Sequence, residues 1–157
     1  MLLLIALGAN VGSRATTLQA ALAALTAEVG PLVKCSAFYE TAPEGFQSPH
    51  AFLNAVAHFE TTLSAADILQ ITQAIERRLG RTAKSQDGIY HDRPIDIDIL
   101  ALGDTICYTQ DLTLPHPHIA ERRFVLEPLT EILPTWRHPL THATSTEMLK
   151  GYEQNTN

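Results

Sequence analysis

Apolar and polar residues alternate most clearly between residues 95 and 99 of this chain. Ile95, Ile97 and Ile99 are separated by Asp96 and Asp98. Side chains two residues apart lie on the same face of a β-strand, which rises about 3.3 Å per residue. The pattern therefore predicts a strand that turns its isoleucines to one face and both carboxylates to the other.

The first thirty residues predict a buried strand followed by a helix. Residues 2–7 are uniformly apolar, and a polar turn that contains glycine follows over residues 8–13. Ser13 is placed to cap the helix by accepting a backbone N–H. Leucines then recur at helical spacing from Leu18, and Gly30 is expected to end the helix.

The middle of the chain predicts two more strands and a second helix. Residues 32–39 and 52–61 have the composition of strands. Ser64 and Asp67 resemble a capping box at the start of the helix, which Gly80 should end. This helix carries an apolar face and is expected to pack against the sheet.

The second half adds the strand with the aspartates and several shorter elements. The polar residues 81–92 read as a loop long enough to act as a lid. A short returning strand is expected at residues 106–108, and short helices at 121–129 and 145–150. The order strand, helix, strand, strand, helix, strand predicts an α+β protein with a ferredoxin-like βαββαβ core, in which helices pack on an antiparallel-containing sheet.

Composition limits the class of protein. The 157 residues are 45% apolar, which predicts a single domain over residues 1–157. A net charge of −6 argues against a nucleic-acid binder. No segment approaches the roughly 20 apolar residues that a membrane span needs. Cys35 and Cys107 form no C-x-x-C motif and no zinc spacing, so free thiols in a reducing cytoplasm are expected.

The candidate chemistry centres on Asp96 and Asp98. Hard carboxylate oxygens suit Mg²⁺, which usually takes one or two carboxylates together with waters and substrate phosphates. The basic and imidazole groups that could surround such phosphates are Lys84, Arg93, His116 and Arg122. These parts favour metal-assisted transfer of a phosphorus group without a covalent intermediate.

Simpler interpretations remain open for several of these residues. One alternative is that the two aspartates only solvate the open face of an antiparallel strand. His116 and His118 could bind a metal, although no Cys or third His lies nearby in the sequence. Asn54 is either a solvated residue at a strand end or a donor and acceptor for a flat heterocycle.

Seven blocks of sequence, in order, carry a family resemblance that extends to about residue 135. They are Gly8-Ala9-Asn10, Phe38-Tyr39-Glu40-Thr41-Ala42-Pro43, Phe52-Leu53-Asn54, Gly80-Arg81, Arg93-Pro94-Ile95-Asp96-Ile97-Asp98-Ile99-Leu100, Leu114-Pro115-His116-Pro117 and Glu121-Arg122-Arg123-Phe124-Val125-Leu126. The chain resembles the 6-hydroxymethyl-7,8-dihydropterin pyrophosphokinases. The resemblance implies transfer of the β,γ-diphosphate of ATP to the hydroxymethyl group of a reduced pterin, with release of AMP, in folate biosynthesis.

The resemblance also implies roles for individual residues, a monomer, and two Mg²⁺ ions held by Asp96 and Asp98. Arg81 and Arg93 would join these two aspartates in catalysis. The implied nucleotide contacts are Gln73, Glu76, Lys84, Tyr90, Arg93, Ile99, Thr113, His116 and Arg122. The implied pterin contacts are Thr41, Pro43, Gly45, Phe52, Asn54, Tyr90 and Phe124.

The chain departs from the family pattern at three places. Tyr90-His91-Asp92 replaces the common Trp-Gly-Pro before the arginine of the metal strand, and Ala83 stands where a second loop arginine is common. Asp111 replaces a basic residue before the Thr113 motif. We expect these differences to affect loop closure and the affinity for ATP.

Two other classes of protein remain as alternatives. A non-enzymatic ferredoxin-like regulatory domain would account for the fold but not for the two aspartates beside Arg93. A D-x-D sugar-nucleotide transferase usually needs a larger nucleotide domain than this length allows. Metal-dependent binding of an ATP analogue tests the first alternative, and turnover of a sugar nucleotide tests the second.

Overall fold

The computed structural model describes residues 1–42, 51–80 and 94–155. Their strands are β1 (Leu2–Ala9), β2 (Leu32–Cys35), β3 (Tyr39–Thr41), β4 (Phe52–Glu60), β5 (Asp96–Leu102), β6 (Cys107–Tyr108) and β7 (Thr113–Leu114). The helices are α1 (Arg14–Glu28), α2 (Ala65–Arg78), α3 (Arg123–Ile132) and α4 (Ser145–Asn155). The predicted lid at 81–92 lies outside the described residues.

One five-stranded sheet forms the centre of the fold. Its order is β2-β4-β1-β5, and the short strand β3 pairs with β4. Every pair of neighbouring strands is antiparallel. Helix α1 follows β1 and helix α2 follows β4, so each joins strands that are not neighbours in the sheet. This split βαβ arrangement confirms the predicted α+β, ferredoxin-like core.

Helices cover both faces of the sheet. One core contains Leu3, Ile5 and Leu7 of β1, which pack with buried residues of α1 and α2. The other contains Leu4 and Ala6, which pack with buried residues of α3 and α4. Because β1 is covered on both faces, its sequence is continuously apolar rather than alternating. Burying each of these large aliphatic side chains contributes about 1.5–3 kcal/mol.

The predicted boundaries of α1 and α2 agree with the structure except at one cap. The Ser64 hydroxyl accepts a 3.2 Å hydrogen bond from the Asp67 N–H, and Gly80 at φ +106° ends α2. Gly30 lies so close to β4 that an added Cβ would meet the Glu60 carbonyl at 1.9 Å. The predicted cap at Ser13 is wrong, because its side chain makes no capping bond.

The single strand predicted over residues 32–39 is wrong, because the chain forms β2 and β3 with a break at Ser36–Phe38. The Ser36 side chain is buried and accepts a 3.0 Å hydrogen bond from the Val56 N–H. The backbone N–H of Ala37 turns away from the ladder toward Glu131 on α3. A contact with a residue so distant in sequence leaves no local pattern.

The C-terminal elements are longer or more divided than predicted. The helix expected at 121–129 is a short 3₁₀ turn at Ile119–Glu121 followed by α3. The helix expected at 145–150 continues to Asn155. None of the described helices combines the length and apolar character that crossing a membrane requires.

Candidate active site

Strand β5 presents its two carboxylates on one face, as the alternation predicts. Ile95, Ile97 and Ile99 are at most 6% exposed and lie in the core beneath α1 and α2. Asp96 and Asp98 are half-buried on the opposite face, which α3 and α4 only partly cover. The antiparallel ladder with β1 fixes this orientation, since a shift of one residue would exchange the two faces.

Gly8 lies between Asp96 and Asn54 on the face that carries the aspartates. It is the register partner of Asn54 on β4 and of Asp96 on β5. With neighbouring strands about 4.8 Å apart, the Cα atoms of Asn54 and Asp96 are separated by about 9–10 Å. A Cβ added at Gly8 would approach the Asn54 Oδ1 to 2.9 Å. Gly8 therefore gives the asparagine amide the space that it occupies.

Three predicted pterin contacts gather around this glycine. Asn54 is only 5% exposed, and its Nδ2 donates a 2.5 Å hydrogen bond to the Thr41 hydroxyl on β3. The Phe52 ring would lie 3.6 Å from a Cβ at Gly8. Thr41 and Phe52 are themselves register partners across β3 and β4. The fourth, Phe124, lies on α3 at the same face, with the Arg122 guanidinium 5.7 Å above its ring.

His116 stands beside β5 as a neutral imidazole. Its backbone N–H donates a 2.8 Å hydrogen bond to the Leu100 carbonyl, and its Nδ1 accepts one of 3.1 Å from the His118 N–H. Burial, together with the charges of Arg122 and His118, lowers the pKa of His116 to about 4, and the charge of Asp96 opposes them. Since Nδ1 is an acceptor, the proton of the neutral ring is on Nε2, which can donate to an anionic oxygen.

The alternative that His116 and His118 bind a metal together has little support. The Nδ1 of His116 already accepts the His118 N–H, and the Nδ1 of His118 lies 2.9 Å from a carboxylate oxygen of Glu121. The two rings are 5.8 Å apart between centroids and are tilted by 60°. Their Nδ1 atoms therefore serve other contacts.

Helix α2 supplies a carboxylate to the edge of β5. Glu76 accepts a 2.8 Å hydrogen bond from the backbone N–H of Ile97, the residue between the two aspartates. Gln73 is half-buried one turn earlier on α2, and Thr113 is half-buried on β7. The Ile99 side chain lies in the core, so only its backbone remains for a nucleotide contact.

The donor set at Asp96 and Asp98 suits magnesium better than a metal that needs an all-protein cage. Within the described residues, no three His, Cys, Asp or Glu side chains form a group able to hold a metal by themselves. Two carboxylates that leave the remaining positions to water and phosphate are the usual protein share of a Mg²⁺ site. The residues present therefore fit this ion.

Several predicted site residues lie outside the described residues. They are Pro43, Gly45, Arg81, Lys84, Tyr90 and Arg93. Sequence reasoning, in turn, missed three residues that shape the described part of the site: Gly8, Arg14 and Glu131. The blocks of the family resemblance included Gly8, but no local pattern indicated what its missing side chain does.

A split βαβ sheet that carries two carboxylates, a neutral histidine and a buried amide on one face defines a small α+β transferase. The chain belongs to the 7,8-dihydro-6-hydroxymethylpterin-pyrophosphokinase family, whose model matches residues 4–134. It is a pyrophosphokinase of folate biosynthesis with ATP as co-substrate.

Curated relatives agree with this assignment, and a solved structure shares the fold. The 2-amino-4-hydroxy-6-hydroxymethyldihydropteridine pyrophosphokinase of Porphyromonas gingivalis is 54% identical over 137 residues, covering 86% of this chain and 92% of the relative. The enzyme of the same name from Bacillus subtilis is 42% identical over 129 residues, covering 82% of this chain and 75% of the relative. A crystal structure of Plasmodium falciparum HPPK-DHPS with pteroate has the same fold, with a TM-score of 0.78 at 15% identity. The alignment covers 99% of this chain but 44% of that larger protein.

Proposed function

We propose that this chain binds ATP and 6-hydroxymethyl-7,8-dihydropterin side by side on the open face of its sheet. The pterin hydroxymethyl oxygen forms a bond to the β-phosphorus of ATP. The bond from that phosphorus to the oxygen bridging the α- and β-phosphates breaks, AMP leaves, and the hydroxyl proton is lost. The observation that carries this proposal is the register of Asn54, Gly8 and Asp96 across three neighbouring strands. This register places an amide that suits a heterocycle two strand spacings from carboxylates that suit metal-bound phosphates.

The pterin half of the site is built on β3 and β4. Asn54 offers one acceptor and one donor to the amide edge of the ring. The hydrogen bond from its Nδ2 to the Thr41 hydroxyl fixes the orientation of the side-chain amide. Phe52 and Phe124 present aromatic surface to the flat ring. By family resemblance, Pro43, Gly45 and Tyr90 complete the pocket.

The nucleotide half lies along the outer edge of β5. The Nε2–H of His116 and the guanidinium of Arg122 donate to triphosphate oxygens, where charge-assisted bonds are strongest. Gln73, Glu76, Thr113 and the backbone of Ile99 line the nucleoside side. By family resemblance, Lys84, Tyr90 and Arg93 add contacts to the nucleotide, and Arg81 and Arg93 assist the chemical step.

Asp96 and Asp98 would hold the two Mg²⁺ ions that the family resemblance implies. When bound there, magnesium neutralises triphosphate charge and orients the transferred group. The carboxylates stand on an edge strand that pairs with β1 along one side and is tied to α2 by the Glu76 bond, which keeps them in position without reorganisation during the reaction.

We also propose a monomer that works in the cytoplasm, with residues 1–157 acting as one domain. The five-stranded sheet carries a core on each face, and β6 and β7 form a small second sheet beside it, which supports a single folding unit. Cys35 and Cys107 are free thiols, and this agrees with a reducing compartment.

Incubation of the protein with ATP, Mg²⁺ and the hydroxymethyl dihydropterin tests the reaction. AMP should appear only when the pterin is present. Release of ADP would indicate transfer of a single phosphate instead and would contradict the proposal. A lack of metal-dependent binding of a non-hydrolysable ATP analogue would point to the regulatory alternative.

A further inference from the structure

Strand β3 is only three residues long, yet side chains from two helices hold it on its two faces. Tyr39 and Thr41 point to the face that carries the site, and Glu40 points to the opposite face, where α1 packs. A strand this short at a sheet edge has few ladder bonds of its own. Its position therefore depends on what else contacts it.

Arg14, the first residue of α1, holds β3 from the rear face. Its Nη2 donates a 2.9 Å hydrogen bond to the Glu40 carboxylate, and its Nη1 donates one of 2.9 Å to the carbonyl of Ala51. Glu40 is the middle residue of β3, and Ala51 immediately precedes β4. One guanidinium thus links the strand that carries Thr41 to the start of the strand that carries Asn54.

The location of this arginine is not explained by its own helix. A cation in the first turn of a helix opposes the helix dipole, at a cost of about 0.3–1 kcal/mol. The side chain instead uses the planar, two-headed geometry that only arginine has. Its two contacts, rather than its helix, account for its presence there.

Glu131 of α3 holds β3 from the front face. Its carboxylate accepts a 2.5 Å hydrogen bond from the Tyr39 hydroxyl and bonds of 3.1 and 3.3 Å from the Ala37 N–H. The hydrogen bond to Glu131 raises the pKa of Tyr39 to about 12, so the phenol remains a donor. Tyr39 is the register partner of Asn54.

We propose that Arg14 and Glu131 are positioning residues for the pterin site. Together they fix β3 against β4, so that the Thr41 hydroxyl meets the Asn54 amide and sets its orientation before the pterin arrives. The inference rests on the proposed function, because the pterin is the ligand whose binding it concerns. Neither side chain belongs to the nucleotide half of the site, so ATP binding should not depend on them.

Steady-state kinetics with each substrate varied in turn test this inference. Arg14→Ala and Tyr39→Phe should each raise the pterin KM by about threefold to tenfold, the range expected for losing one or two hydrogen bonds near the surface. The ATP KM and kcat should stay within about twofold of the wild type. Arg137→Ala is the matched control, since Arg137 makes the same kind of arginine-to-carbonyl bond, to His142, elsewhere in the chain.

A conservative series separates positioning from general stability. Arg14→Lys keeps the charge but not the bidentate contact, so its pterin KM should lie between those of the wild type and Arg14→Ala. Glu131→Gln should raise the pterin KM less than Glu131→Ala does. An unchanged pterin KM, or an equal rise in both KM values, would overturn the inference. A wild-type protein that releases no AMP would instead count against the proposed reaction.

Discussion

Glu76 accepts a hydrogen bond from the backbone N–H of Ile97, which places a helix carboxylate between the two aspartates of the site. This N–H lies on the edge of β5, where the ladder with β1 leaves it without a strand partner. The bond ties α2 to the part of β5 that must hold Asp96 and Asp98 in position. Glu76 thereby acquires a structural role beside the nucleotide contact that the family resemblance implies.

We expect Glu76→Ala to lower kcat by about tenfold, because β5 loses its hydrogen bond to α2 at Ile97 and holds the two neighbouring carboxylates less precisely. Glu76→Gln keeps an acceptor for the Ile97 N–H and should recover most of the loss. The measurement is kcat at saturating ATP and Mg²⁺. Equal defects in the two variants, confined to the ATP KM, would reduce the role of Glu76 to a nucleotide contact.

Asp98→Asn should reduce turnover by about a hundredfold or more while the protein still folds. Its side chain is half-buried on the open face of the sheet, outside both apolar cores, so the change costs electrostatic stabilisation and not packing. Initial rates and thermal denaturation of the same preparation check both statements. Asp104→Asn, at the exposed turn after β5, is the control and should retain full activity.

Gly8→Ala should weaken pterin binding much more than ATP binding. The new Cβ would lie 2.9 Å from the Asn54 Oδ1, closer than real Cβ contacts allow, so the amide must move. Calorimetric titration of the pterin and of an ATP analogue gives the two affinities. The prediction is wrong if both affinities are unchanged.

Gly151→Ala provides the control for Gly8→Ala. Nothing lies within 4 Å of a Cβ at Gly151, which is inside α4. This substitution should raise the free energy of unfolding by about 0.5–1 kcal/mol, because alanine loses less backbone entropy in a helix than glycine does. It should leave both affinities unchanged.

The titration of His116 provides a prediction about pH. Burial is the main cause that lowers the pKa of His116 to about 4, below the ordinary 6.5 of an unfolded chain. Between these values the unfolded state binds more protons than the folded state. The contribution of neutral His116 to the free energy of unfolding is therefore fully present above pH 6.5 and declines as the pH falls toward 4. An NMR titration should place the His116 midpoint near 4.

His116→Asn should remove part of this acid-induced loss of stability. Burial also lowers the pKa of His138, so a decline of the same sign remains in the variant. Urea denaturation at a series of pH values compares the two proteins. Identical curves for the variant and the wild type between pH 4 and 6.5 would contradict the lowered pKa.

The sequence was most informative where a local pattern and the tertiary structure agree. The alternation around Asp96 predicted both the strand and the face of its carboxylates, because burial of three isoleucines on one side permits no other register. The cap at Ser64 formed as predicted, with its hydroxyl accepting the Asp67 N–H, since its geometry depends on four consecutive residues. The order of elements was sufficient for the ferredoxin-like core.

Features that depend on distant contacts escaped sequence analysis. The break between β2 and β3 depends on Glu131, which lies 94 residues from Ala37 in the sequence. Ser13 matched the composition of a helix cap but made no such bond. The role of Gly8 depends on Asn54 across the ladder, and the glycine therefore looked like an ordinary turn residue.

The contact of Glu131 with β3 also bears on how drug tolerance could arise in this enzyme. A compound that mimics the reduced pterin would compete for the Asn54 amide, whose surroundings extend through Tyr39 to a side chain on α3. Selection under such a compound should therefore yield escape substitutions at Glu131, a position that the compound never touches.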